Sequence, residues 1–462
     1  MMHFHKSILS AVLLGLIVAS VYNYYPPEPA VAKIARSRGA ITIDDPNLKY
    51  EVVASGLKSP TTMAFLGPND ILVNEKLNGT VQRIIDGKIQ PQPILDVSVA
   101  NKNERGMLGI AVAKPSTNSN GSNNNNNNNS NSSPTTYVFV SYTETKAEGS
   151  DICPRPNRCE PGHDPLGNRL YRYELVNNKL VNPKLLLDLP ALPGPGHNSG
   201  KIIIGPDNNV YFTIGDVGAY KTQTQNYPNN PNSNGTSAVY RITQDGNAVK
   251  GIIGDKDILD KYYAYGLRNS FGMDFDPVTG KLWDTENGDA CCDEINTVQP
   301  GFNSGWRKVQ GFWEVKRNTH GNILENPTNL VDFGGKGKYE SPKFVWLNTT
   351  GPTAIKFLNS DKLGKQYQND MFVADYHGGN IYHFKLNQNR TELVLNGTLA
   401  DKIANNAQEL EDIKFVEGMG AITDLQVSPY DGYLYAVSIS GGKIYRILPA
   451  AAAGSGNSTQ SS

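Results

Sequence analysis

One three-part unit recurs six times between Thr62 and Arg446, and it limits the architectures open to this chain. Each copy begins with an alternating strand, passes a Gly/Pro/Asp/Asn turn, continues as an aromatic-rich strand and closes with a short strand, which ends apolar-x-Arg in four copies and has the full form Gly-x-apolar-x-Arg in the first and sixth. The first copy reads Thr62–Phe65, Asp70–Val73 and Gly79–Arg83, and the second Met107–Val112, Thr136–Val140 and Asn168–Arg172. The third reads Lys201–Ile204, Asn209–Thr213 and Ser237–Arg241, and the fourth Gly272–Phe275, Lys281–Thr285 and Asp293–Asn296. The fifth reads Thr353–Phe357, Asp370–Ala374 and Gly379–His383, and the sixth Asp424–Val427, Gly432–Val437 and Gly442–Arg446. Short antiparallel strands repeated in this way, with no long amphipathic helix between them, predict an all-β fold, a six-bladed β-propeller with four-stranded antiparallel blades. A pair of β-sandwiches is the rival, but it does not require one unit six times.

On this reading one domain spans residues 46–449 and absorbs a length that otherwise suggests about three domains. The 43 Lys+Arg against 44 Asp+Glu leave a net charge of −1, with no basic excess to neutralise a phosphate backbone, so no nucleic-acid partner is expected. Lys6 precedes the uncharged apolar stretch Ser7–Val21, so residues 1–21 read as a signal peptide or membrane anchor and the protein as exported, extracellular or cell-surface. Sequons at Asn78, Asn234, Asn348, Asn389, Asn396 and Asn457 suit a glycosylated surface. Residues 22–45 read as a linker and 450–462 as a disordered tail. The run 118–133, with seven consecutive Asn from Asn123, reads as a disordered loop.

Of the four cysteines, Cys153 and Cys159 share a Pro-rich polar loop that suits a disulfide in an oxidising compartment. The adjacent Cys291 and Cys292 have three readings: a vicinal disulfide, a link across to the loop pair, or, together with His377, a soft-metal site.

Propellers bind ligands where blade-edge loops converge on the central channel, and three loops carry chemistry suited to that place. Pro193–Gly200 holds His197 immediately before a strand, and an imidazole there can accept a proton from a hydroxyl. Tyr265–Gly272 sets Arg268 beside Asn269, a pair able to bind carboxylate or carbonyl oxygens. Glu286–Asn296 concentrates four carboxylates around Gly288, oxygen chemistry that suits Ca²⁺, with Asp289 and Asp293 in reach.

These loops, in this order, resemble the soluble quinoprotein glucose/sorbosone dehydrogenase family over about Leu57–Leu448. The resemblance also rests on Glu104–Ala111, His197–Lys201 followed by Gly205-Pro-Asp, Thr213–Asp216, Gly266–Asn269, Asp293–Asn296 and Asn303–Trp306. It implies a PQQ-dependent aldose dehydrogenase in which His197 removes the sugar C1 hydroxyl proton. Arg268 and Asn269 would then contact the quinone, Gly288 and Asp289 would offer carbonyls to calcium, and Trp346 would stack on the ring system. Glu104 stands where the family has a Gln near the sugar. His377, Ala421 and Thr423 stand where well-studied members place a Lys and two Arg on the PQQ carboxylates. The alternative is a non-catalytic extracellular propeller that binds a glycan or a protein.

Overall fold

The structure is a computed structural model. It describes residues 40–113, 135–145 and 165–450, apart from 219–220, 232, 290, 317–318 and 324–326. The apolar leader, the Asn-rich run, the Cys153–Cys159 loop and the tail lie outside the described residues. Among those described, regular structure is β-strand together with five short 3-10 turns. All three strands expected in each of the six units are present. In the third unit, for example, Ile202–Ile204 pairs antiparallel with Val210–Ile214, and that strand with Ala238–Ile242.

The described strands form six sheets of four to six strands and one of three. The first strands of the six larger sheets are Pro60–Gly67, Met107–Ala113, Ile202–Ile204, Ser270–Phe275, Pro352–Phe357 and Ile422–Val427. Each packs against the next, and the last packs against the first, so they form a closed cycle. Leu48–Ser55, near the start of the described chain, adds to the last sheet by pairing with Lys443–Pro449 and ties the two ends together. Thr42–Ile43 also pairs, with Lys414–Glu417, so ordered pairing starts inside the segment 22–45 that reads as linker.

Large side chains fill the wedges between adjacent sheets, where twisted strands diverge. Phe139 and Leu170 of one sheet meet Phe212, Tyr240 and Tyr262 of the next in one apolar cluster, and Trp283 and Ile295 meet Phe357, Val373 and Tyr382 in another. Each such residue withdraws enough apolar area to contribute about 1.5–3 kcal/mol. This is why the aromatic-rich middle strands recur in the sequence.

Five of the six first strands show a register shift close to their N-terminal end, at Pro60/Met63, Met107/Gly109, Ser270/Gly272, Pro352/Ala354 and Ile422/Asp424. An extra residue there bends the strand and re-aims the residues that enter it. The loops carrying Glu104, His197, Arg268 and Asn269 all enter first strands from this end. Gly109 shows how tightly two of these strands approach, because a Cβ there would lie 1.9 Å from the Gly200 carbonyl oxygen.

Candidate active site

His197 sits in a Pro/Gly-rich loop with a left-handed backbone, φ 59°, and its ring meets the end of the adjacent strand in its own sheet. Its Nδ1 lies 2.5 Å from Oδ1 of Asp216. Asp216 is buried two residues beyond the strand Val210–Ile214. Its Oδ1 also accepts the Gly218 amide at 2.9 Å, and its Oδ2 accepts Trp306 Nε1 at 2.8 Å. Burial opposes the charge on Asp216, but the His197 ring, the Arg268 guanidinium and the Gly218 amide outweigh it and hold the carboxyl down at about 2. An ionised Asp216 facing Nδ1 selects the tautomer with hydrogen on Nδ1, which leaves Nε2 as the basic atom. The His197 side chain keeps 21% of its surface exposed, against 3% for Asp216, so the ring has an open side and its partner has none.

The Arg268-Asn269 pair lies beside this dyad. The Arg268 carbonyl accepts the Asp216 amide at 2.9 Å, and the guanidinium lies 5.5 Å from the Trp306 ring centroid. One guanidinium nitrogen donates to the Asn287 carbonyl at 2.9 Å and another meets Asp289 Oδ1 at 3.3 Å. Asn269 accepts the Ser199 hydroxyl at 2.9 Å and donates to Glu104 at 3.1 Å. The same Glu104 oxygen accepts the His197 backbone amide at 2.5 Å. Gly215 permits the approach of these loops, since a Cβ there would lie 2.4 Å from the Arg268 carbonyl oxygen and 2.6 Å from that of His197.

Below Arg268, Glu286 accepts its backbone amide at 2.6 Å and the Ser304 hydroxyl at 2.6 Å. Glu294 is directly opposite Glu286 in the sheet, and both are fully buried. Burial, and after it the proximity of the two carboxyls to each other and to Asp284, raises the Glu286 carboxyl well above the usual range. Burial raises Glu294 as well. This acidic floor holds the Arg268 loop through hydrogen bonds.

The structure places five expected residues elsewhere or in other roles. Trp346 is 1% exposed and packs within a core cluster, 4.8 Å from Phe344 and 5.8 Å from Tyr382 between ring centroids. It has no face to offer a cofactor, and the aromatic beside Arg268 is Trp306. Asp293, expected at a metal, is spent on backbone amides: Oδ1 accepts Gly288 N at 2.8 Å, and Oδ2 accepts Thr350 N at 2.6 Å and Gly351 N at 2.8 Å. Among the described residues no group of three or more His, Cys, Asp or Glu is arranged to hold a metal ion. Cys291 and Cys292 are bonded to each other, which removes both thiols from the soft-metal reading and from a link to the loop pair. His377 is exposed, and its ring Nδ1 lies 3.5 Å from the Thr349 carbonyl.

Asp216 and Trp306 lie within stretches that support the resemblance, but neither is identified as a site residue from sequence. A Gly-Asp following a strand and a Trp following Ser-Gly are the only signals they leave.

A strand cycle with polar loops converging on one rim defines the class as a β-propeller with a rim site. A family model for glucose/sorbosone dehydrogenases matches residues 57–446, and the chain belongs to that family. Quinoprotein glucose dehydrogenase B of Acinetobacter calcoaceticus is 28% identical over 323 residues, a stretch covering 66% of this chain and 60% of that protein. The soluble aldose sugar dehydrogenase of Escherichia coli, in its apo form, superposes with a TM-score of 0.63 at 20% identity, covering 87% of this chain and 100% of that one. The PQQ-bound aldose sugar dehydrogenase of Streptomyces coelicolor gives 0.56 at 20% identity, covering 89% and 98%.

Proposed function

We propose that this chain is an exported, six-bladed sugar dehydrogenase that oxidises a sugar at the C1 hydroxyl, with His197 as the base. The closed cycle of six first strands supports the blade count, and the leader and sequons support export. The observation that carries the activity is the His197–Asp216 pair at 2.5 Å with Arg268 and Asn269 alongside.

The residues present fit PQQ at its reacting end. Arg268 and Asn269 would hold the quinone there, and the main-chain carbonyls of Gly288 and Asp289 would hold Ca²⁺. When bound, PQQ supplies the hydride acceptor and Ca²⁺ the Lewis acidity. His197 Nε2 takes the hydroxyl proton, a contribution of about 10²–10⁴-fold for a positioned base. Asp216 stabilises the imidazolium that results, and Trp306 keeps the carboxylate turned toward the ring.

A second reading rests on the positions that hold the PQQ carboxylates in well-studied relatives. Ala421 is buried with its amide on Ser440, the Thr423 hydroxyl donates to the Pro60 carbonyl at 3.2 Å, and His377 offers an imidazole where those relatives have an ammonium. A site without those cations suits a non-catalytic propeller that binds a glycan or a protein.

The test is titration of the purified protein with PQQ in Ca²⁺, followed by absorbance, and then dye reduction with a panel of aldoses for the parent and His197→Ala. Stoichiometric PQQ binding with turnover abolished in His197→Ala supports the dehydrogenase. No binding decides for the second reading, and equal turnover in both proteins refutes the role of His197.

A further inference from the structure

The loop that carries His197 is gripped from one side by the segment 101–106, which runs into the strand Met107–Ala113. Glu104 accepts the His197 amide at 2.5 Å, and its own amide donates to the Pro195 carbonyl at 3.2 Å. Arg105 donates from one nitrogen to the carbonyl of Ala191 and, at 3.0 Å, to that of Gly194. These contacts bridge 86 to 93 residues of sequence, so the left-handed backbone at His197 is imposed from outside its own loop.

The gripping segment is held in turn. Lys76, at the end of the second strand of the first sheet, donates from Nζ to the Asn103 carbonyl at 2.6 Å and to the Asn101 carbonyl at 3.3 Å. Its backbone carbonyl accepts the Met107 amide at 3.1 Å, and Asn101 Nδ2 donates to the next carbonyl, Leu77, at 2.9 Å. At Gly106 a Cβ would lie 2.5 Å from the Lys76 carbonyl oxygen, so the two backbones are in close contact.

We propose that Lys76 is a positioning residue for His197: its ammonium holds the two carbonyls that flank the turn into Glu104, and Glu104 with Arg105 sets the histidine loop. The proposal rests on His197 being the base, but the geometry it asserts exists without substrate or cofactor. An ammonium supplies donors to both carbonyls at once and attracts the Glu104 carboxylate beside them, whereas a neutral amine does this weakly. Burial lowers the Lys76 ammonium to about 8, and Glu104 opposes that shift. Glu104 is the charged group that faces it. The neighbouring Glu75 is occupied by the Lys58 amide, Thr80 and Gln82, and Tyr376 lies within the field of Glu104.

The test is nitrogen NMR of the histidine-labelled protein without PQQ or sugar. Among the 7 histidines the His197 signals are identified by their loss in His197→Ala. Lys76→Met is expected to displace the His197 ring signals and Lys76→Arg to restore them. In the parent the same displacement should grow as pH rises through about 8 and Lys76 loses its proton. In the loaded enzyme Lys76→Met should lower kcat about 10- to 100-fold with little change in KM, the cost of a misplaced base. His197 signals that coincide in the parent and Lys76→Met at every pH overturn the proposal, as does a Lys76→Arg protein as displaced as Lys76→Met. If Lys76→Met does not fold, Lys76→Gln takes its place, and His197 signals that coincide in that variant and the parent overturn the proposal. A protein that oxidises no sugar refutes the dehydrogenase reading and leaves the NMR result standing.

Discussion

Asp216→Asn separates the two jobs of the buried carboxylate, since it keeps shape and removes charge. Holding the carboxyl at about 2 rather than its ordinary 3.8 corresponds to about 2–3 kcal/mol, at about 1.4 kcal/mol per pH unit. The sign follows from the depressed value: the stabilisation is complete above pH 3.8 and is lost as pH falls toward 2. The amide also fails to match its neighbours. Asp216 accepts from His197 and Gly218 on one oxygen and from Trp306 on the other, whereas Asn offers one acceptor and one donor group. If the amide oxygen faces His197, the Trp306 N–H meets a donor in a buried place, at a cost of about 1–3 kcal/mol. If it is flipped, the imidazole is driven to the tautomer with hydrogen on Nε2, and the base is lost. Urea unfolding at pH 7 should therefore show a loss of about 2–4 kcal/mol with an unchanged slope, and the gap between parent and variant should close toward pH 2. Dye reduction by the loaded enzyme should fall by up to about 10⁴-fold, the size of a wrong-tautomer defect in the unrelated Asp-His pair of serine proteases. A variant within threefold of the parent in turnover, or equally stable at pH 7, refutes the argument.

Three further expectations concern the core and the buried charges. Asp284 is fully buried with neither carboxylate oxygen hydrogen-bonded, and burial raises it to about 7, with nearby Ser270 and Asn296 offsetting only part. With a raised value the parent loses stability as pH climbs from 3.8 to about 7, so Asp284→Asn should be more stable than the parent by about 2–4 kcal/mol at pH 8 and indistinguishable near pH 4, read by urea unfolding. Lys201 and Asp424, 2.5 Å apart and buried, join the first strands of two sheets at their inner ends, and Asp424 also accepts the Met63 amide at 3.0 Å. Lys201→Met leaves that carboxylate uncompensated and should cost about 3–5 kcal/mol in chemical unfolding. Trp346→Ala should cost about 3–5 kcal/mol through the cavity it opens, while PQQ affinity of the folded protein stays at the parental value; a selective loss of affinity would return Trp346 to the site.

The strand units were legible because a half-buried strand alternates with period two and its turns need Gly, Asn or Asp, both properties of adjacent residues. The same locality exposed His197, Arg268 and Asn269, which sit in short loops directly before strands. The surroundings of Trp346 and Asp293 were not legible for the converse reason. A Trp preceding a loop reads the same whether its ring faces a channel or a wedge between sheets. A carboxylate near Gly288 reads as a cation ligand until the amides of Thr350 and Gly351, nearly sixty residues on, are seen to occupy it.

By itself, then, the sequence determined an all-β chain of repeated strand units, its family, and the loops in which site chemistry is concentrated. Only the tertiary structure decided that Asp216 faces His197, that Trp306 rather than Trp346 stands at the rim, and that one Glu104 oxygen joins His197 to Asn269. Those pairings link residues 19 to 165 positions apart: antiparallel pairing of Ile202–Ile204 with Val210–Ile214 brings His197 to Asp216, and closure of the sheets into a cycle brings Glu104 to His197 and Asn269.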